Sequence, residues 1–293
     1  MKKAGYIIFV VFNYIITLLP FKVLYLISDI FFLLLYHVVK YRRSVVENNL
    51  KRAFPEKSPE ELKKIGRRVY RHLSDIFIDT LKPIHMSPQQ INRRFTVTDT
   101  SLVDRFFEEG RDVVALSSHY NNWEWLSALQ LSALHQVITI YKPLKNKDFD
   151  RFMLKIRTKF GMRVSPMNHI LRDLVNCRNE NIRTMSGFVA DQTPPRDDNA
   201  MWTTFLNQDT GFFRGAEKVA VKYDMPVVFM HIRKIKRGFY ELEYRLITEH
   251  PREEEPNFII SRYVSMLEEV IRSKPEYWLW SHRRWKYKRP QTK

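Results

Sequence analysis

Apolar residues fill positions 4 to 19 almost without interruption, Pro20, Phe21 and Lys22 break the run, and positions 23 to 39 are apolar again apart from Ser28, Asp29 and His37. Each arm is at the short end of the roughly 17–25 residues that a membrane helix needs. Lys2 and Lys3 precede the first arm, and Lys40, Arg42 and Arg43 follow the second, so the positive-inside tendency favours the cytoplasm for both outer ends. A single crossing would put the very basic remainder outside. The pattern therefore predicts a membrane anchor over residues 1–40, built as a hairpin or as two interfacial helices. A cleaved signal peptide opens in the same way, but no A-x-A site follows the run and the second arm would be unexplained.

From Tyr41 to Pro83 the apolar positions recur with helical period among charged residues. Ser58-Pro59-Glu60-Glu61 supplies a serine cap, a proline at the first helical position and acids in the first turn. After Glu109-Gly110 the period shortens. Val113–Ser117, Val137–Tyr141, Thr184–Ala190, Val227–Arg233 and Phe239–Ile247 have strand character, and helical stretches lie near Glu124–Leu134, Lys147–Phe160, Ile170–Asn176, Gly215–Tyr223 and Asn257–Ser273. Such alternation predicts an α/β domain over residues 41–293, a mixed, mostly parallel sheet flanked by helices, with a helical lead-in at 41–100 and its sites at the carboxyl ends of strands.

Composition narrows the chemistry. With 293 residues, 44% of them hydrophobic, the chain can bury a large core. It has eight glycines and no GxGxxG, GxxxxGK[ST] or GxSxG, which removes the sequence signals of dinucleotide, P-loop and α/β-hydrolase sites. The single cysteine, Cys177, excludes an intramolecular disulfide and a multi-cysteine metal site, and fits a small core residue in a reducing compartment. Lysine and arginine exceed aspartate and glutamate by 49 to 32, a net charge of +17 that calls for anionic partners. Beside an apolar anchor, that charge is read first as membrane-surface charge and second as a nucleic-acid surface.

Candidate chemistry begins at Ser117 to Trp125, Ser-Ser-His-Tyr-Asn-Asn-Trp-Glu-Trp, directly after Val113-Val114-Ala115-Leu116. If that run is a buried strand and Asn122 opens a helix, His119 lies at the carboxyl end of a sheet and Glu124 in the helix's first turn, where the two side chains can touch. An imidazole held by a carboxylate takes a proton from a hydroxyl at neutral pH, because the carboxylate fixes the tautomer and stabilises the imidazolium that forms. A capping turn with a solvated histidine and glutamate is spelled the same way. Further segments add weight. Lys142, in Tyr141-Lys142-Pro143, follows a strand, and Arg157 comes soon after; either can meet an anion or stand solvated. Asp191, in Ala190-Asp191-Gln192, falls on the same sheet edge as His119. Arg214 opens a helix whose backbone N–H groups could face an anion. Trp278-Leu279-Trp280-Ser281-His282-Arg283-Arg284-Trp285-Lys286 interleaves rings and cations, either as a snorkelling interface tail or as a headgroup contact through Arg283 and Arg284.

Together these segments resemble the lipid A late (secondary) acyltransferase family, within the lysophospholipid acyltransferase superfamily marked by His-x4-Asp/Glu. The likeness runs nearly end to end: the apolar start, Arg43 through Asn49-Leu50 to Ala53-Phe54-Pro55-Glu56, His119-Tyr120-Asn121-Asn122-Trp123-Glu124, Tyr141-Lys142-Pro143, Arg157 with Phe160-Gly161, Asp191-Gln192 and the closing Trp278–Lys286 segment. The resemblance implies a glycerolipid acyltransferase-like fold and an inner-membrane enzyme with its active domain on the cytoplasmic side. Such an enzyme moves a fatty acyl chain from acyl carrier protein onto a hydroxyl of a phosphorylated lipid A precursor, without metal or other cofactor. It implies His119 as general base, Glu124 as the group that orients it, Arg157 as an anion contact and Asp191 as a supporting group. Acyl carrier protein, the lipid precursor and anionic inner-membrane lipids are the expected partners, and nucleic acid is not. Two positions depart from the family: Phe205-Leu206-Asn207 stands where Phe-Phe-Gly is usual, and Asp79 where a glutamate is common. Other lipid acceptors, such as an aminolipid or a lysophospholipid, stay open, as do a soluble hydrolase and a non-catalytic basic protein that binds lipid from a membrane tether.

Overall fold

The computed structural model describes residues 3–194 and 200–290. Four helices precede the sheet: α1 (Lys3–Leu18), α2 (Phe21–Leu33, continued by a π turn, Leu34–Val38), α3 (Arg43–Ala53) and α4 (Pro59–Leu81). The start of α4 is the capping box expected from its sequence, Ser58 accepting from the Glu61 amide at 3.2 Å while the Glu61 carboxylate accepts from the Ser58 amide at 2.8 Å. The short helix α5 (Pro88–Asn92), strand β1 (Phe95–Val97) and α6 (Ser101–Glu108) lead into the central strand β2 (Val113–Ser117). Then come β3 (Gln136–Tyr141), α7 (Lys147–Arg157), β4 (Arg163–Pro166), α8 (Ile170–Asn179) and β5 (Thr184–Val189). A hairpin of β6 (Met201–Phe205) and β7 (Gln208–Phe212), then α9 (Gly215–Tyr223), β8 (Val227–Lys236), β9 (Phe239–Thr248) and α10 (Phe258–Ser273) complete the order.

Seven strands form one sheet in the order β1-β9-β8-β2-β5-β3-β4, parallel throughout except for β8 against β9. All five residues of β2 are buried, because helices cover both faces of the strand. Its side chains alternate between two cores. Val114 and Leu116 join the layer made with α3, α9, α10 and the closing tryptophans, and Val113 and Ala115 join the opposite layer with Phe106, Ile91 and Trp125. Cys177 is a buried core residue of α8.

Three pieces of the sheet region were not legible in the sequence. β1 and β4 have only three and four residues, too few to show a period. The hairpin turns on Leu206 and Asn207 with φ of 49° and 61°, the left-handed pair that a two-residue hairpin needs, and Asn207 replaces the glycine usually spent there. The turn is pinned by the Leu206 amide on Glu268 and the Asn207 side chain on the Ala53 carbonyl, both 3.0 Å.

The apolar arms pack on the domain with one face each. On α2, Leu24, Tyr25, Ser28 and Phe32 are buried; the Tyr25 hydroxyl donates to Asp79 at 2.8 Å and Ser28 to Asp75 at 2.9 Å. Arg237 bridges Asp29 and Asp75. The Lys82 ammonium donates to the Thr17 and Leu19 carbonyls at the end of α1. The outward faces are bare, with Ile8 69%, Ile15 62%, Leu26 63% and Ile30 61% exposed. Among the described residues one helix, Phe21–Val38, is long and apolar enough to cross a membrane.

The closing segment packs into the protein through its tryptophans and Arg284, while Arg283 and Lys286 stay exposed. Trp278, Trp280 and Arg284 are buried, and Asn49 on α3 donates to the carbonyls of Trp280 and His282 at 2.9 and 3.0 Å. Asn49→Ala removes both bonds and strands those acceptors, so a loss of about 1–3 kcal/mol in unfolding free energy is expected. Chemical denaturation of the two proteins side by side measures it.

Candidate active site

The register of β2 against β5 builds the site. Ser117 pairs with Val189 at the carboxyl ends of these parallel neighbours, so the second residue beyond each, His119 and Asp191, meet across the sheet edge. Asp191 Oδ1 lies 2.7 Å from His119 Nδ1, and Oδ2 accepts from the His119 backbone N–H at 2.9 Å and from the Trp278 indole N–H at 2.8 Å. Burial by itself raises the pKa of Asp191, but the neighbouring His119 and the donated hydrogen bonds outweigh it and hold the carboxyl below its ordinary value. The carboxylate therefore stays ionised and the network assigns the ring proton to Nδ1. Nε2 is left with its lone pair, on a side chain that is 18% exposed.

The loop carrying His119 is clamped on both sides. Asn121 adopts the left-handed conformation, φ 54°, which an asparagine tolerates, and its side chain donates to the Ile232 carbonyl at 2.7 Å. The closing segment adds a short antiparallel bridge, Tyr120 to Trp278, with the Asn121 amide on the Tyr277 carbonyl and the Leu279 amide on the His119 carbonyl. Trp123 sets its ring edgewise to the imidazole, 5.2 Å between centroids.

Glu124 does not orient His119. It accepts two bonds from Arg157 at the end of α7, at 3.0 and 2.8 Å, and its pairing raises the Arg157 pKa although burial acts the other way. Asn122 does open a helix, the 3-10 helix Trp123–Leu131, but Glu124 bonds to Arg157 of α7 and Asp191 takes up Nδ1. Arg157 is likewise bound within the protein, its guanidinium giving two hydrogen bonds to Glu124. Asn122 caps nothing with its side chain, which reaches Asp79 at 3.4 Å. Asp79 also accepts from Tyr25 and Tyr240 at 2.8 Å each, while its carbonyl takes the Trp125 indole N–H; burial pushes its carboxyl up to about 7.

None of the other expected cationic site residues has a hydrogen bond to His119 among the described residues, though Arg284 interacts electrostatically with Asp191. Lys142 and Arg283 are exposed, and Arg214 is the half-buried N-cap of α9. Arg284 is buried under the Phe212 ring and donates to the Gly211 carbonyl at 2.6 Å; burial lowers its pKa to about 10. Its contacts are with the interior of the protein. Two participants were missed by sequence reasoning. Trp278, which holds Asp191, was hidden in a segment that reads as a basic aromatic tail. Gln192, whose amide nitrogen lies 3.0 Å from His119 Nε2, had only its adjacency to Asp191 as a signal.

A histidine with a buried carboxylate on Nδ1 and only the Gln192 side chain at Nε2, set at the carboxyl edge of a mostly parallel sheet, defines an α/β protein whose site can do general-base chemistry on a hydroxyl. The chain belongs to the bacterial lipid A biosynthesis acyltransferase family, whose sequence profile matches residues 1–287. It is thus an acyltransferase of lipid A biosynthesis. No curated protein matches the chain.

Proposed function

We propose that the protein transfers a fatty acyl chain from acyl carrier protein to a hydroxyl of a phosphorylated lipid A precursor at the cytoplasmic face of the inner membrane. His119 Nε2 takes the hydroxyl proton as that oxygen attacks the thioester carbonyl. The ester C–O bond forms, the C–S bond breaks, and the proton passes from the imidazolium to the leaving sulfur. Asp191 keeps the ring in the base-competent tautomer throughout. The thioester is already activated, so no enzyme nucleophile and no metal or redox cofactor is required. The observation that carries this reading is the His119–Asp191 pair at the paired strand ends. A +17 surface suits both an acidic carrier and a phosphorylated lipid. The test is incubation of the purified protein with carrier loaded with chains of several lengths and a tetra-acylated lipid A precursor, following product mass. Gain of one acyl chain supports the reading; donor consumption without lipid product points to another acceptor.

The apolar arms are proposed to lie in the bilayer interface, because their inward faces are hydrogen-bonded to the catalytic domain and only their outward faces are bare. Ile8→Glu with Leu26→Glu removes two side chains from the apolar surface, each worth about 1.5–3 kcal/mol when buried. Sedimentation with anionic phospholipid vesicles is expected to show at least a roughly tenfold weaker association with an unchanged melting temperature. Unaltered binding would rule out this face.

A further inference from the structure

His119 offers a single proton-accepting site, and in the ligand-free protein that site is taken. With the Nδ1 proton committed to Asp191, Nε2 can only accept, so the Gln192 side chain at 3.0 Å must present its amide N–H and not its carbonyl. An acceptor hydroxyl needs the same lone pair and the same place. Gln192 is half-buried, and it stands immediately after Asp191, whose carboxylate is fixed by three donors. Its position beside the ring is therefore set by a rigid neighbour, while among the described residues its own amide makes one hydrogen bond, to His119 Nε2.

Resting on the reading of His119 as the base, we infer that Gln192 is a stopper on the catalytic histidine: its amide occupies Nε2 until the lipid hydroxyl displaces it, and so keeps water out. The competing reaction explains why a stopper is useful. A water molecule at Nε2 would add through its oxygen to the thioester carbonyl, the C–S bond would break, and the water proton would pass through Nε2 to sulfur, leaving a free fatty acid. An amide N–H in that place gives up no proton to an imidazole, because its acidity is far too low. A lipid hydroxyl carries the binding energy of the rest of its molecule and can replace one hydrogen bond. A lone water has no such support. Gln192 is thus a positioning residue that sets the partition between transfer and hydrolysis.

The partition is the readout, since a purely structural loss lowers both reactions together. In Gln192→Ala, hydrolysis of the thioester donor measured without lipid acceptor is expected to rise about three- to tenfold relative to transfer, the equilibrium weight of one hydrogen bond to a neutral acceptor. Gln192→Leu, which fills the space without donating, should keep hydrolysis near the parent level. If Gln192→Ala has the parent ratio of hydrolysis to transfer, the stopper is refuted. If that variant has lost both reactions, the rate at which diethyl pyrocarbonate modifies His119 in the ligand-free protein decides: faster modification than in the parent supports the inference, and an equal rate overturns it. His119→Ala, run in parallel, separates the two levels of the argument. Loss of transfer there with an unchanged ratio in Gln192→Ala refutes only the stopper, whereas full transfer in His119→Ala refutes the base itself.

Discussion

His119→Ala is expected to lose acyl transfer by about 10²–10⁴-fold, the contribution of one positioned general base. The fold should survive the change. The imidazole is partly exposed; among the described residues its side-chain hydrogen-bond partners are Asp191 and Gln192, and the Trp123 ring packs edgewise on it. Asp191 keeps two donors after the substitution, the residue-119 backbone N–H and the Trp278 indole, so its buried charge is not abandoned. Initial rates of acylated lipid formation, with thermal unfolding as the control, measure the effect. Parent-like turnover in a folded His119→Ala protein would remove the general-base assignment.

Asp191→Asn is expected to be nearly as damaging, with kcat reduced about 10²–10⁴-fold although shape is preserved. An asparagine that turns its amide to Nδ1 demands a lone pair there, which moves the ring proton to Nε2 and leaves no base. The acid limb of stability should change with it. The folded pKa of Asp191 is depressed below the ordinary 3.8, so its stabilising contribution is fully present above that value and is lost as pH falls through the lower folded value. Asp191→Asn removes this dependence, and acid unfolding followed by circular dichroism reports it. Glu124→Gln provides the contrast. It weakens the partly buried pair with Arg157, at about 1–3 kcal/mol between the exposed and buried limits, and acts on His119 only through displacement of the Trp123–Leu131 turn. A larger fall in kcat for Glu124→Gln than for Asp191→Asn would return the orienting role to Glu124.

Much of the architecture was legible because local patterns carry it. The five strands with continuous or alternating apolar residues lie within two or three residues of their expected ends, and the Ser58 capping box depends on neighbours three positions apart. The short edge strand β4, the three-residue β1 and the Leu206-Asn207 hairpin had no comparable local signal. The helix after Asn122 was legible as helical, but its 3-10 geometry over Trp123–Leu131 was not, and its start is tied to α4 through the Asn122 side chain and the Trp125 indole on Asp79.

The site divides along the same line. His119, Glu124, Arg157 and Asp191 could all be picked out from the chain, and the structure brings them together as two pairs, His119 with Asp191 and Arg157 with Glu124. Sequence separation favoured the nearer carboxylate, five residues away, over the one 72 residues away. By itself the sequence determined the fold class, the apolar arms and the acyltransferase family, and it singled out His119 as a candidate, because these rest on period, composition and short motifs. Which carboxylate holds that histidine, what stands at its Nε2, and that the closing segment clamps the histidine loop through buried tryptophans were decided only in three dimensions. Parallel strand register and the packing of α3 against the chain's end join residues that no local pattern connects.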